Sequence, residues 1–114
     1  MSGDATLTTH VLDTAHGCPA RGMTVELYGP GGMIASGRTN ADGRCPGLVE
    51  GMLPPGRYRI LFGVADYFRA RGVTLAEPPF LDVVTVDFGI AADGGHYHVP
   101  LLVSPYGYST YRGS

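Results

Sequence analysis

"HYHVPLLVSPYGYSTYRGS", His96 to Ser114, is the stretch on which the fold turns. Its first half alternates. Tyr97, Val99, Leu101 and Val103 fall on one side, and His96, His98, Pro100 and Leu102 on the other, the period of two of a β-strand. Ser104-Pro105 breaks the run, because proline brings no N–H to a ladder. "YGYSTY" then resumes as a further strand. Chain ends are commonly frayed and polar; this one keeps two tyrosines and an arginine in its last seven residues. Such an end is either the last strand of a sheet or a segment that reaches a site.

The same alternation appears upstream. "TLTTHVLD" sets Leu7, Thr9 and Val11 against Thr8, His10 and Leu12. "MTVELYG" turns Met23, Val25 and Leu27 inward, "GRYRILFGV" sets Tyr58, Ile60, Phe62 and Val64 against Arg57, Arg59 and Leu61, and "FLDVVTVDF" sets Val84, Val86 and Phe88 against Val83, Thr85 and Asp87. "MIASGRT" is a weaker strand. "AHGCPARG", "GPGG", "NADGR" and "AADGG" are turn clusters between them. Only "VADYFRARGV" reads as helical, a short element near Asp66–Arg71 ending at Gly72, and "AEPPF" forces an extended entry into the next strand. Seven or eight short strands punctuated in this way predict an all-β sandwich of two antiparallel sheets with one short helix.

The totals agree. With 114 residues, 44% of them hydrophobic, the chain forms a single domain over 1–114. The 18 glycines and 9 prolines are dispersed as turn punctuation, without a repeat. A net charge of −2 with no basic stripe argues against nucleic acid and against an anionic membrane surface. No apolar run approaches the roughly 18 residues of a membrane span. The start, "MSGDATLTTH", has no secretory pattern, so the expected location is cytoplasmic. Cys18 and Cys45 form no C-x-x-C pair and read as free thiols.

Strand phase marks the candidate site. His10 and His98 both point away from the sandwich interior, onto outer faces that also carry Leu12, Pro100, Leu102 and Val83. Leucine mixed with histidine on an outer face suggests a subunit interface or a lined cleft. His96 and His98 share a face at a spacing that metal sites use, and His10, Asp13 or Asp87 could supply a third ligand. No HExxH and no Cys/His cluster supports this, and the expected metal is none. His16 lies in a turn and reads as structural or solvated. Arg44 closes the turn "NADGR", where its fork of donors could hold a carbonyl or anionic oxygen. There is no G-x-S-x-G elbow, and "GPGGM" lacks the lysine of a phosphate loop.

"LTTHVLDTAHGCPA", "TNADGR" and "HYHVPLLVSPYGYSTYRGS" resemble the transthyretin-related proteins, specifically their 5-hydroxyisourate hydrolase branch. The resemblance covers nearly the whole chain, and the "YRGS" ending is that branch's signature. It implies a transthyretin-like sandwich with a short helix after the fifth strand. It also implies a homotetramer, a dimer of dimers, with active sites in the channel between the dimers. The positions it marks are His10, Arg44, His98 and Ser114 as catalytic, with His10, Arg44 and Tyr111 binding substrate. The implied reaction is hydrolysis of 5-hydroxyisourate to 2-oxo-4-hydroxy-4-carboxy-5-ureidoimidazoline in urate degradation, without a cofactor. His10 and His98 would share water activation and proton return. Arg44 would stabilise the oxyanion, Tyr111 would shape the pocket, and Ser114 would orient a histidine or the water. Two other readings stand beside it: a non-catalytic carrier of small aromatic ligands, and a zinc-dependent hydrolase.

Overall fold

The computed structural model describes residues 3–113. Nine elements follow one another: β1 (Ala5–Asp13), β2 (Cys18–Pro19), β3 (Thr24–Gly29), β4 (Gly32–Arg38), β5 (Gly56–Gly63), α1 (Val64–Ala70), β6 (Val83–Ile90), β7 (Gly95–Ser104) and β8 (Gly107–Thr110). They form two four-stranded sheets, ordered β2-β1-β7-β8 and β4-β3-β5-β6. The alternation seen in the sequence explains why these sheets pack. Leu7, Val11, Tyr97, Val99, Leu101 and Val103 of one sheet meet Val25, Leu27, Tyr58, Ile60, Phe62, Val84 and Val86 of the other, all buried. Burying a side chain such as Phe62 contributes about 1.5–3 kcal/mol relative to leaving it in water.

Every strand pair is antiparallel except one. β1 and β7 run parallel, with Thr8 opposite His98 and His10 opposite Pro100. Alternation reports which face a side chain takes and not which way its strand runs, so this pairing departs from the antiparallel expectation while the sandwich itself stands. β2 is a second difference. It pairs Leu12 with Pro19 and Asp13 with Cys18, within a stretch that reads as a turn cluster.

The helix forms where expected. Val64, Ala65, Tyr67 and Phe68 are buried while Asp66 and Arg69 stay exposed, a one-sided helical pattern. It stops at Gly72, whose φ of +85° suits glycine; Gly72 N–H donates to Arg69 O at 2.9 Å and Val73 N–H to Phe68 O at 3.0 Å.

Pro100 is the third difference. Its phase is outward, but it is buried within the single chain, standing between His10 on β1 and the last strand, whose Thr110 hydroxyl donates to its carbonyl at 2.7 Å. It is therefore not free for a subunit interface, whereas Leu12 and Leu102 on the same face are half-buried.

Candidate active site

β1 and β7 lie side by side at the centre of their sheet, and this places His10 and His98 on one outer face. Arg44 arrives there from the loop after β4. The Asn40 side chain accepts the N–H groups of Asp42 and Arg44, at 2.9 and 3.1 Å, and Asn40 N–H donates to Arg44 O at 2.7 Å. The tight turn then docks on β1. Val11 N–H donates to Gly43 O at 2.8 Å, and His10 and Arg44 form a bridge pair. Gly43 has φ +77°, and a Cβ there would collide with the Val11 carbonyl, so the turn accepts only glycine. The short motif "NADGR" is thus a device for setting an arginine beside a histidine.

The tail reaches the same face. β8 pairs Thr110 with Leu101, and the register continues to a bridge between Gly113 and His98, which sets Tyr111 opposite Pro100. Gly113 N–H donates to His98 O at 2.7 Å. Arg112 donates to His96 O at 3.1 Å, and its guanidinium carbon lies 3.9 Å from the centre of the Tyr97 ring, which pins the tail to β7. Tyr111 is 59% exposed. Ser114 lies outside the described residues.

His98 is held on the neutral side of its ordinary titration. Its pKa is lowered first by partial burial, then by the Arg44 charge and by electrostatic coupling to the His10 and His96 rings, against an opposing contribution from the Thr8 backbone. A neutral imidazole at physiological pH can accept a proton, as water activation requires. A neighbouring guanidinium can both stabilise a developing oxyanion and keep that imidazole uncharged.

Of the three residues considered as a third metal ligand, His10 shares the face of His98, whereas Asp13 and Asp87 fall elsewhere. Asp13 is fully buried on the inward face. It accepts His16 Nδ1 at 2.6 Å, His16 N–H at 3.0 Å and the Tyr67 hydroxyl at 2.8 Å. Burial alone would raise its pKa, but the Tyr67 and His16 hydrogen bonds together outweigh burial and leave it below the ordinary value. Tyr67, buried against that carboxylate, is pushed up to about 12. Asp87 pairs with Arg59 at 2.6 Å on the other sheet. Among the described residues no three His, Cys, Asp or Glu side chains converge as a metal site. Of the two readings of His16, its bonds to Asp13 select the structural one, and Cys18 and Cys45 are both free.

The sequence reading missed two groups. One is the Asp13–His16–Tyr67 network; its signal was an acid in inward phase on β1. The other is Thr6 and Thr8, whose hydroxyls lie at the ring nitrogens of His96 and His98. Two clefts among the described residues lie away from the histidines. The larger, about 660 Å³, opens on the other sheet around Tyr28, Arg57, Arg59 and Asp87. The smaller, about 250 Å³, lies between Phe88, Tyr97 and Tyr111.

The family profile described as HIUase/Transthyretin family matches residues 7–113. This chain belongs to that family. A 5-hydroxyisourate hydrolase of Pseudomonas aeruginosa is 58% identical over 114 residues, covering 95% of this chain and 90% of that one. The solved (S)-allantoin synthase superposes with a TM-score of 0.84 at 41% identity over 99% of this chain, which spans 45% of that longer chain. Sea bream transthyretin, solved in complex with thyroxine, superposes at 0.83 with 32% identity, covering 96% of this chain and 95% of its own. The transthyretin-like sandwich expected from the sequence is therefore the fold observed. No helix among the described residues is long and apolar enough to cross a membrane.

Proposed function

We propose that this chain hydrolyses 5-hydroxyisourate, opening the ring to 2-oxo-4-hydroxy-4-carboxy-5-ureidoimidazoline in urate breakdown. Relatives that carry the hydrolase name at 58% and 53% identity over nearly the full chain support the activity. The observation that carries the reading is the convergence of His10, Arg44 and His98 on one face, with His98 biased towards its neutral form. In this reading His10 and His98 activate water and return a proton to the departing nitrogen. Arg44 holds the substrate oxygens and stabilises the oxyanion. Tyr111 lines the substrate, and Ser114, next to the docked Gly113, orients a histidine or the water. The chemistry needs no cofactor.

The face is open in the single chain, and it mixes half-buried Leu12 and Leu102 with the exposed Tyr111. We therefore propose that a second chain closes it, in a homotetramer built as a dimer of dimers with sites in the channel between them, working in the cytoplasm. Light scattering at micromolar concentration should give a tetramer; a monomer would overturn the assembly. The activity is tested by following the absorbance decay of freshly generated 5-hydroxyisourate. Catalysis well above the spontaneous rate is expected. Decay at the spontaneous rate, with an aromatic ligand bound, would favour the carrier reading that the thyroxine-bound transthyretin suggests.

A further inference from the structure

Beside His98 the outer face carries a row of four side chains that alternates between two strands. Thr6 and Thr8 of β1 stand directly opposite His96 and His98 of β7. Thr6 Oγ1 is 2.6 Å from His96 Nδ1, Thr8 Oγ1 is 3.3 Å from His96 Nε2, and Thr8 Oγ1 is 2.8 Å from His98 Nδ1. His98 Nε2 is thus the one ring nitrogen of the row that none of these hydroxyls engages.

We propose that Thr8 is a positioning residue for the hydrolysis, holding His98 in the tautomer that leaves Nε2 free to take a proton, and that His96 and Thr6 fix the direction of the Thr8 hydroxyl. The inference rests on the hydrolase reading above. The bookkeeping of hydrogens supports it. A threonine hydroxyl has one proton to give and two lone pairs to accept with. If His98 Nδ1–H donates to Thr8, the Thr8 proton is directed to His96 Nε2. That nitrogen must then be bare, so the His96 proton sits on Nδ1 and is donated to Thr6, whose own hydroxyl points to solvent. Every donor in the row has one acceptor.

The reverse direction also satisfies the row, but it puts the His98 proton on Nε2. The catalytic cycle selects between the two. When His98 takes a proton from water at Nε2 it becomes an imidazolium, and both of its nitrogens are then donors. Thr8 must accept from Nδ1 at that moment. Only the first direction lets His98 gain and later surrender a proton at Nε2 while Nδ1–H, Thr8, His96 and Thr6 stay as they were. No group has to reorient as charge develops, which is the condition for effective electrostatic preorganisation. The tautomer of a catalytic histidine is generally set by the hydrogen bond at its other nitrogen. Here a neutral hydroxyl does this, so the site keeps the imidazole oriented without placing a carboxylate next to the anion formed in the reaction.

Thr8→Val removes the hydroxyl and keeps the β-branched shape; Thr8→Ser keeps the hydroxyl. The parent and both variants are compared by turnover of 5-hydroxyisourate and by the ¹⁵N resonances of the histidine rings. The parent should show His98 as the Nδ1–H tautomer. Thr8→Val should show mixed tautomers and a kcat lower by about 10–100-fold, the scale found for partners that orient metal-bound histidines, with KM unmoved. Thr8→Ser should restore most of the rate and the single tautomer. His96→Phe, which removes the acceptor for the Thr8 proton, should mix the tautomers as well. An active parent whose Thr8→Val variant keeps the parental kcat, or an active parent with His98 protonated at Nε2, would overturn the inference alone. An inactive parent that still shows the Nδ1–H tautomer would overturn the hydrolase reading, while the hydrogen-bonded row survives.

Discussion

Gly113→Ala tests whether the tail serves the site or merely closes the sheet. A Cβ built on Gly113 would lie 2.5 Å from His98 Cδ2, 3.2 Å from its Cγ and 3.3 Å from its Cβ. Carbon atoms rest at about 3.5–4.0 Å, so roughly 1 Å must open somewhere. The imidazole cannot swing away without leaving Thr8, 2.8 Å from its Nδ1. The alternative is that the tail lifts, stretching the 2.7 Å bond from Gly113 N–H to His98 O. Either movement displaces His98 or unseats Gly113 from it, and a misplacement of about 1 Å costs on the order of 10²-fold in rate. Stability should change far less, because one hydrogen bond at an edge strand is worth about 0.5–1.5 kcal/mol. The expected outcome is a folded protein whose kcat on 5-hydroxyisourate falls by about two orders of magnitude while its melting temperature falls only a few degrees. An alanine variant with the parental rate would refute the claim that this end of the chain is fitted to His98. A loss of activity that only tracks a loss of assembly would show that the tail is a docking strand.

Arg44→Met should lower kcat/KM by about 10²–10³-fold, the scale of a lost oxyanion donor, while the melting temperature holds because the side chain is exposed. The same variant should raise the His98 pKa measured by NMR, since the Arg44 charge is second only to burial in lowering it. In the parent, kcat/KM should rise with pH through a pKa below 6.5 and be level at neutrality, because a base is active only when unprotonated and the His98 value is depressed from 6.5; a rising limb centred above 6.5 would refute His98 as the base. Tyr67→Phe removes a donor from the buried Asp13 and should destabilise the fold by about 1–3 kcal/mol in urea titrations at neutral pH. Asp13 has a folded pKa below 3.8, so its contribution is complete above that value and lost as pH falls through the folded one; the gap between parent and variant should therefore close in acid.

How far the sequence reveals this molecule depends on whether the deciding interaction is local. The inward sets Leu7/Thr9/Val11 and Tyr97/Val99/Leu101/Val103 are all buried, because strand phase needs only the residue two positions away. The helix is legible for a similar reason: Tyr67 and Phe68 face the core and Gly72 ends the run. The parallel pairing of β1 with β7 is set by which strands meet across the chain, and alternation carries no strand direction. Pro100 shows the same limit at one residue. Its outward phase is legible, but its cover comes from His10, 90 positions earlier, and from a tail that folds back afterwards.

The site divides along the same line. His10 and His98 can be assigned to an outer face by phase, and "NADGR" can be recognised as a turn. That the turn docks against Val11 and so sets Arg44 beside His10 is a long-range fact, carried by a glycine with no room for a Cβ. Thr8 is the clearest case of what phase cannot give. In the sequence it is a polar residue on an outward face, indistinguishable from any solvated threonine. Its meaning comes from the parallel register, which puts it opposite His98. A one-residue slip of that register would bring Thr9 opposite His98, and Thr9 is an inward residue whose hydroxyl already donates to Val99 O at 2.7 Å. The register that buries the core is therefore the same one that orders the histidine row, so selection for packing on the inner face of β1 also preserves the geometry of the outer one.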